Sequence, residues 1–285
     1  MSLIDLVQVL APDREEEPED IFAAAPMWLF PDDTVNMHGD PESVIVYKSR
    51  RFGDIRLQTA DPNGEDERRL FSHYLWNAGL KLAELISLPR VASDGVWSVE
   101  GKRVLELGAG VGLGGIVATL AGADEVAITD YPASVVLKNI LRNVDANLPR
   151  GVRGRTSVEG HAWGVLDTAF ATAGHHRYMR ILAADCYWMQ DQHESLVQSM
   201  LHFLSPEPAA RVFAIAGFHT GRARLAAFFE IAARHGLVPE DIYEEDVHGL
   251  RRSWAEERDG GLENHTERKK WLVISRLRKK PDDAG

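Results

Sequence analysis

Apolar runs rich in β-branched residues alternate with amphipathic helical segments along most of this chain. The runs have the length and composition of buried strands, and the segments between them carry apolar residues at helical spacing. The predicted strands end at Leu107, Asp130, Gly160, Ala184 and Phe218, and two more lie near 242–243 and at 270–276. This alternation predicts an α/β fold with one doubly wound sheet of seven strands and helices on both faces.

The N-terminal part of the chain follows a different pattern. Residues 11–20 are acidic and contain two prolines, and residues 21–49 form a loop-rich stretch with scattered aromatic side chains. We interpret this part as an extension that either caps a ligand site or only covers the core. Asp61 and Pro62 suit the start of a helix. The predicted division is an extension over 1–60, a main domain over 61–280 and a tail over 281–285.

The most specific chemical signal lies in the turn after the first predicted strand. Glu106, Gly108, Gly110 and Gly112 occupy alternate positions there, and a helical pattern begins near Leu113. Gly108 and Gly110 allow positive φ and let a ligand approach without meeting a Cβ, while the start of the helix points its N–H groups at the same place. A ligand is therefore expected at the carboxyl end of this strand.

Two classes of ligand use such a turn. A dinucleotide fingerprint needs a third glycine where this chain has Leu113, whereas the spacing of the acid and the glycines resembles the first motif of class I S-adenosylmethionine methyltransferases. That resemblance implies that Glu106 lies near the amino-acid end of the cofactor and that Asp130 binds the two ribose hydroxyls. A nicotinamide or flavin site, and a glycine turn with no ligand, are the alternatives.

Two further strand ends are expected to face the same site. The fourth strand leads into Asp185, Cys186, Tyr187 and Trp188, and the fifth leads into His219. Methyl transfer is an in-line displacement, so alignment and desolvation can supply most of the catalysis. Asp185 could orient an acceptor amine, with Tyr187 or Trp188 as a wall of the methyl channel. The alternative role for Asp185 is a cap on the helix that follows.

Two tryptophans are candidates for contact with a flat ligand. Trp76 lies off the apolar stripe of its predicted helix, so its indole either packs in the core or meets a flat or cationic group. Trp163 lies in the loop after the third strand, where it could meet an adenine edge.

Composition limits the classes of partner and the cellular compartment that are expected. The formal net charge of −11 excludes a general nucleic-acid binder, because phosphate contacts need a basic surface, and it permits a basic protein partner. The single cysteine, Cys186, excludes an internal disulfide, so we expect the cytoplasm, with the nucleus as the alternative. Residues 1–10 make a poor signal peptide, and no apolar run has transmembrane length, so no membrane association is expected. The scattered histidines show no zinc-ligand spacing, so no metal is expected.

Motifs spread along the chain resemble one family. They are EEPEDI, LFPDD with HGD, GEDERRLFSHYLWNAG, VLELGAGVGL, ITDYP, EGHAWG, ADCYWM and GFHTGR, in that order. Over residues 15–277 the chain resembles fungal seven-strand methyltransferases of the lysine methyltransferase superfamily. The most similar branch was first labelled nicotinamide N-methyltransferase-like and was later recognised as modifying the N-terminus and an adjacent lysine of translation elongation factor 1-alpha. The resemblance implies a Rossmann-like methyltransferase sheet and S-adenosylmethionine as cofactor.

The resemblance also implies roles for individual residues. The candidates for the cofactor pocket are Trp76, Glu106, Gly108, Gly110, Gly112, Asp130, Tyr131, Trp163 and Ala184. Residues 185–188 match the superfamily's Asp-x-x-Tyr/Phe motif, which contacts the substrate amine, although Trp188 stands at its last position and Tyr187 one place earlier. The catalytic candidates are Asp185, Tyr187, Trp188 and His219.

Three functions remain open on these grounds. The first is methylation of a lysine or N-terminus on a basic protein such as elongation factor 1-alpha. The second is N- or O-methylation of a small molecule, a class in which some enzymes use magnesium. The third is cofactor binding without transfer, which a methyl channel blocked by Trp188 would indicate.

Overall fold

The computed structural model describes residues 2–10, 36–60, 74–89 and 95–281. Its strands are β1 (Val7–Leu10), β2 (Met37–His38), β3 (Val44–Ser49), β4 (Gly53–Leu57), β5 (Leu75–Trp76), β6 (Arg103–Leu107), β7 (Glu125–Asp130), β8 (Thr156–Gly160), β9 (Arg180–Ala184), β10 (Arg211–Gly217), β11 (Leu237–Asp246), β12 (Arg251–Ser253) and β13 (Trp271–Lys279). Its α-helices are α1 (Asn77–Ser87), α2 (Leu113–Leu120), α3 (Ser134–Asn147), α4 (Arg150–Arg153), α5 (Ala169–Gly174), α6 (His193–Phe203), α7 (Arg222–Arg234) and α8 (His265–Lys269). Short 3₁₀ helices lie at Ile4–Leu6, Gln190–Gln192 and Asp259–Gly261. Within the described ranges, none of these helices combines the length and the apolar character that crossing a bilayer requires.

One large sheet carries the candidate site. Its strand order is β12-β11-β13-β10-β9-β6-β7-β8. The neighbours from β10 to β8 run parallel, whereas β13, β11 and β12 add on as antiparallel strands. The carboxyl ends of the parallel strands therefore share one edge, which is where sheets of this kind bind ligands. The predicted doubly wound α/β fold is confirmed, with one strand more than expected because the short β12 pairs with β11.

The two faces of the central strands pack into two separate cores. On one face, Val104 and Leu182 pack with apolar side chains of α1, α2 and α3. On the other face, Leu105 and Ile181 pack with those of α6 and α7. Because successive side chains of a strand point to opposite faces, both sets must be apolar, and this explains the unbroken apolar runs that predicted the strands.

Strand β11 extends well beyond the prediction from sequence. A strand was expected only near 242–243, but Leu237–Asp246 pairs with β13 along most of its length. Its buried Glu244 accepts hydrogen bonds from the guanidinium of Arg222. Such paired acids interrupt the apolar pattern of a buried strand, so hydrophobicity alone underestimates its length.

The N-terminal extension contains an antiparallel sheet with the order β1-β3-β4. This sheet lies against α3, where the side chains of Asn143 and Asn147 accept the backbone N–H groups of Gln58 and Arg56, each at 2.9 Å. The predicted loop-rich stretch is wrong for β3, whose residues pair with both neighbouring strands. Its first part, to residue 35, lies outside the described residues.

Helix α1 has a different start from the one predicted at Asp61. Residues 61–73 lie outside the described ranges, so that start is not described. The next residues contradict a continuous helix, because β5 is extended and pairs with β2. Helix α1 then begins at Asn77. The pairing of β2 with β5 brings the N-terminal extension next to Trp76, a residue of the candidate site.

Candidate active site

A cavity of about 270 Å³ opens at the carboxyl edge of β6, β7 and β9. Residues from the turn after β6, the ends of β7 and β8, the loop after β9 and the start of α1 form its walls. The predicted site residues that line it are Trp76, Glu106, Gly108, Gly110, Asp130, Tyr131, Trp163, Ala184, Asp185 and Trp188. The fold thus brings together residues from segments that are far apart in the sequence.

The glycine turn after β6 forms one wall of this cavity. Gly108 has a φ of +64° and Gly110 a φ of +57°, a region that favours glycine. A Cβ on Gly108 would lie 2.9 Å from Sγ of Cys186 and 3.0 Å from Cζ2 of Trp163. A Cβ on Gly110 would meet nothing within 4 Å, so a side chain there would occupy open space beside the cavity. Gly108 therefore lacks room for a side chain, whereas at Gly110 the positive φ is what favours glycine.

Main-chain donors hold the carboxylate of Asp130 at the end of β7. The N–H of Gly110 donates to Oδ2 and the N–H of Tyr131 donates to Oδ1, each at 2.7 Å. Burial raises the pKa of Asp130, and these two hydrogen bonds oppose the shift. Two fixed oxygens at a strand end are suited to accept hydrogen bonds from a pair of neighbouring hydroxyls.

Glu106 lies deeper, between β6 and the start of α2. The N–H of Gly115 donates to its Oε2 at 2.8 Å. A Cβ on Gly114 would lie 2.4 Å from Oε1, so the glycines at the start of this helix make room for the carboxyl group. Burial raises the pKa of Glu106 to about 8, and the nearby charge of Asp130 adds to the effect. A cationic ligand group at this place would favour the ionised form.

Helix α6 fixes the loop that carries Trp163. Nε2 of His161 lies 3.0 Å from Oγ of Ser199, and the same hydroxyl accepts the N–H of Gly164 at 2.9 Å. Burial lowers the pKa of His161 to about 4, and the neighbouring His202 contributes, so the ring of His161 is neutral at physiological pH. These contacts hold the indole of Trp163 beside the glycine turn.

Asp185 lies at the cavity wall in an uncommon backbone conformation. Its φ is +58°, an uncommon conformation for a residue other than glycine that costs about 1–3 kcal/mol, although aspartate adopts it more readily than most residues. The side chain is 6% exposed. Oδ1 accepts the N–H of Gly217 at 3.1 Å, and Oδ2 lies 2.8 Å from Nε2 of His219. Helix α6 begins at His193 and has no side-chain cap at its start, so Asp185 is not its cap.

Tyr187 does not reach the cavity, contrary to the prediction. Its side chain is 1% exposed and stacks on Phe228 of α7 with ring centres 3.8 Å apart, inside the second core. The left-handed turn at Asp185 changes the course of the chain, so Trp188 rather than Tyr187 lines the cavity. The aromatic residue of this motif that lines the cavity is thus the one at its last position.

Gly112 and His219 also lie away from the lining residues that the structure describes. Gly112 is the N-cap of α2 with a φ of +79°, and a Cβ there would lie 3.1 Å from the core side chain of Ile140. Its role is to turn the chain into the helix. His219 contacts two residues of the cavity wall, Asp185 and Trp76.

Several lining residues were missed as site candidates. They include Tyr74, Val111, Leu113, His161, Cys186, Met189 and Gln192. His161 belongs to the EGHAWG motif, two positions before Trp163, so its place was available from sequence. Met189 and Gln192 lie in or beside a 3₁₀ helix that no hydrophobic period indicates.

The residues of the cavity fit S-adenosylmethionine. Gly108 and Gly110 line the cavity without side chains, and Gly110 leaves open space next to the Asp130 carboxylate, where ribose hydroxyls are expected. Glu106 and Trp163 also line the cavity, so a carboxyl group and an indole are available to the amino-acid end and the base of such a cofactor. Across the described ranges, no three His, Cys, Asp or Glu side chains come together as a metal site requires.

Three curated proteins that are similar to this chain are all named as protein methyltransferases. The chain is 34% identical over 177 residues to protein N-terminal and lysine N-methyltransferase EFM7 of Candida glabrata, covering 61% of this chain and 66% of that protein, just under two thirds. It is 32% identical over 200 residues to the Schizosaccharomyces pombe efm7 protein, covering 65% and 74%. It is 34% identical over 176 residues to EEF1A lysine methyltransferase 3 of Mus musculus, covering 59% and 69%.

Solved structures and a family model complete the comparison. The fold is similar to that of PH1948, a candidate RNA methyltransferase from Pyrococcus horikoshii, with a TM-score of 0.52, 15% identity, and coverage of 80% of this chain and 92% of that chain. At that identity the likeness concerns the fold alone. The model of the lysine methyltransferase family matches residues 63–234, more than half of the chain. The chain therefore belongs to the lysine methyltransferase family, whose methyl donor is S-adenosylmethionine.

Proposed function

We propose that this protein transfers a methyl group from S-adenosylmethionine to an amine of a basic protein, and that the acceptor is a lysine or the N-terminus of elongation factor 1-alpha. The observation that carries the proposal is the buried Asp185 carboxylate, which lines the cavity at β9 while Glu106 and Asp130 line it at β6 and β7. One cavity thus offers separate carboxylates to a cofactor and to a cationic acceptor. The names of the yeast and mouse relatives support the same class of acceptor.

The cavity can promote such a transfer by alignment and by exclusion of water. The cofactor, when bound, supplies an electrophilic methyl carbon on a sulfonium. Gly108 and Gly110 let it approach the backbone, and the Asp130 carboxylate fixes its ribose. The acceptor nitrogen must then lie in line with the bond that breaks, and a second group that lines the same cavity can supply that alignment.

Asp185 is the residue that can hold the acceptor nitrogen. A lysine ammonium has an ordinary pKa near 10.4, and it must lose a proton before its lone pair can attack. The Asp185 carboxylate already accepts one hydrogen bond on each oxygen and retains lone pairs for an ammonium. Its negative charge captures and orients the ammonium, and displacement of water by the bound substrates favours the neutral amine, with the proton released to solvent.

The charge of the whole protein supports a basic acceptor. A net charge of −11 attracts a cationic partner and raises the rate of encounter at low ionic strength. We also infer a cytoplasmic location, because an elongation factor works there and the single Cys186 suits a reducing compartment.

The fate of labelled methyl groups tests this proposal. Wild-type protein and the Asp185→Ala variant are incubated with radiolabelled S-adenosylmethionine in a lysate, and label is followed into the protein and small-molecule fractions. We expect label in elongation factor 1-alpha, at a lysine or the N-terminus by peptide mass spectrometry, and little label with the variant. Label confined to small molecules, or no transfer by a wild-type protein that binds the cofactor, would contradict the proposal.

A further inference from the structure

His219 contacts two walls of the cavity from behind. Its Nε2 lies 2.8 Å from Oδ2 of Asp185, and its ring lies against the indole of Trp76 with ring centres 4.6 Å apart. The side chain of His219 is 22% exposed, whereas that of Asp185 is 6% exposed. The imidazole therefore lies between a buried carboxylate and the solvent.

The backbone is shaped to permit this contact. A Cβ on Gly217 would lie 2.5 Å from Nε2 of His219, so a side chain at that position would displace the imidazole. Asp185 reaches the ring from a left-handed backbone conformation with a φ of +58°. The missing side chain at Gly217 and the left-handed backbone at Asp185 thus both allow the contact between His219 and Asp185. These two features distinguish it from an incidental surface contact.

The hydrogen bond fixes the orientation of the carboxylate. An ionised carboxylate only accepts hydrogen bonds, so Nε2 of His219 carries the proton and donates it to Oδ2. The N–H of Gly217 holds the other oxygen. Without such contacts, the χ2 angle of an aspartate takes a broad range of values. With both oxygens held, the remaining lone pairs keep one direction relative to the cavity.

The charge of His219 changes what Asp185 offers to a cation. A neutral imidazole leaves the full negative charge of Asp185 available, whereas an imidazolium pairs with that charge and repels an incoming ammonium. Among the described contacts of the ring, Asp185 from the loop after β9 supplies a charged group and Trp76 from the start of α1 an uncharged one. Arg222, three positions further on, is engaged with Glu244 and Glu263.

We propose that His219 is a positioning residue for the acceptor amine. Its Nε2–H holds the Asp185 carboxylate in the orientation that binds the amine, and in the neutral ring, deprotonated at Nδ1, this hydrogen bond leaves the negative charge of Asp185 available. This inference rests on the proposed function, because it specifies how the acceptor carboxylate is held. It assigns His219 no contact with the cofactor.

Two substitutions of His219 separate positioning from a structural role. The amide nitrogen of His219→Gln can donate a hydrogen bond from the place of Nε2 but cannot titrate, whereas His219→Ala removes the donor. Both are compared with wild type and with His248→Gln, a change of an exposed histidine in the turn after β11. Turnover on purified elongation factor 1-alpha, affinity for S-adenosylmethionine and melting temperature are measured on each preparation, and turnover is followed from about pH 5.5 to 8.5, the range around the ordinary histidine pKa.

We expect His219→Ala to lower turnover by about 10- to 100-fold with cofactor affinity within about threefold of wild type. His219→Gln should restore turnover to within about fivefold of wild type and remove the fall in activity on the acid side. Full turnover in His219→Ala, or an equal loss in both variants together with weaker cofactor binding and a lower melting temperature, would overturn the inference. If wild-type protein transfers no methyl group to any protein amine, the proposed function itself fails, and the step that His219 would position falls with it.

Discussion

Two parts of the cavity hold their carboxylates in different ways. We call the part with Glu106 and Asp130 the cofactor half and the part with Asp185 the acceptor half, after the roles proposed for them. In the cofactor half, main-chain N–H groups from nearby glycines do so: Gly110 donates to Asp130 and Gly115 donates to Glu106. In the acceptor half, Asp185 is held by one main-chain N–H and by the side chain of His219, 34 positions further along the chain. Main-chain geometry belongs to the fold, whereas side-chain contacts depend on the particular residues present. We infer that the first half serves methyl donation in general and that the second half selects the acceptor.

Loss of the acceptor carboxylate should have the largest effect and should separate the two halves. In Asp185→Ala we expect turnover on the acceptor to fall by about 10²-fold or more, the usual scale for loss of a positioning or proton-transfer group. Affinity for S-adenosylmethionine should stay within about threefold of wild type, because main-chain contacts hold the cofactor half. Single-turnover kinetics and calorimetric titration on one preparation measure both quantities.

An exposed carboxylate in the same loop provides the control for this experiment. Asp191→Ala should keep turnover, because Asp191 is exposed and does not line the cavity among the residues described. A parallel loss of thermal stability, cofactor affinity and turnover in Asp185→Ala would instead give Asp185 a structural role.

Loss of the Asp130 carboxylate, which is proposed to bind the ribose, should instead weaken cofactor binding. Asp130→Ala leaves two main-chain N–H groups and the ribose hydroxyls without their acceptor, so we expect binding of S-adenosylmethionine to weaken by about 1–3 kcal/mol. Isothermal titration measures this change, with the exposed Asp124→Ala as a matched control on the turn before β7. Wild-type affinity in Asp130→Ala, or tighter binding of NAD than of S-adenosylmethionine by wild type, would refute the role of Asp130.

The pH dependence of cofactor binding tests the proposed role of Glu106, which lies deeper in the cavity than Asp130. The pKa of Glu106 lies at about 8, above its ordinary 4.5, so in the free protein this carboxyl is largely protonated at neutral pH. A cationic amino-acid end requires the ionised form, so binding should release a proton, and affinity should rise by up to about tenfold per pH unit between about pH 6 and 8. The stability of the free protein depends on pH in the opposite direction from cofactor affinity. The folded state binds more protons than the unfolded state between pH 4.5 and about 8, so the free energy of unfolding falls as pH rises through that window.

Titrations in buffers with different ionisation enthalpies detect the released proton. In Glu106→Gln the proton release and the pH dependence of affinity should both be lost. A wild-type affinity that is the same at pH 6 and pH 8, with a binding enthalpy that does not change with the buffer, would exclude Glu106 as the partner of the cationic group.

The smallest effect is expected at Tyr187. Because its side chain packs in the core against Phe228, Tyr187→Phe should change turnover by less than about twofold and leave cofactor affinity unaltered. Trp188→Leu is the informative comparison, since Trp188 lines the cavity and should alter turnover. Steady-state kinetics on the two variants decides which aromatic residue faces the substrate; a large loss in Tyr187→Phe alone would reverse the assignment made from the structure.

The same contrast explains what could be predicted from the sequence. Strand ends, the glycine turn and the acid at the end of β7 follow from local rules: hydrophobic period, positive φ and the position of a carboxylate after an apolar run. Asp130 and Glu106 were therefore found together with the fold. The hydrogen bonds that hold them come from residues within a short stretch of chain, so sequence spacing carries the information.

The acceptor half depends on information that sequence spacing does not carry. The place of residues 185–188 after the fourth strand left a choice between Tyr187 and Trp188, and in the structure, where Asp185 adopts a left-handed conformation, Trp188 lines the cavity. That conformation depends on contacts with β10, from Gly217 and Ile215. The pairing of β2 with β5 likewise joins residues 37–38 to residues 75–76 across a long segment, so the start of α1 was missed.

Methylation of purified elongation factor 1-alpha would show whether Asp185 serves transfer to a protein amine. The factor is incubated with S-adenosylmethionine and either wild-type protein or Asp185→Ala, and peptide mass spectrometry locates the methyl groups. We predict methylation by wild type at a lysine or at the N-terminal amine, and a rate at least about 10²-fold lower for the variant, with both proteins binding the cofactor equally well. An unmodified factor after reaction with a wild-type protein that binds S-adenosylmethionine, or equal methylation by the two proteins, would contradict the account.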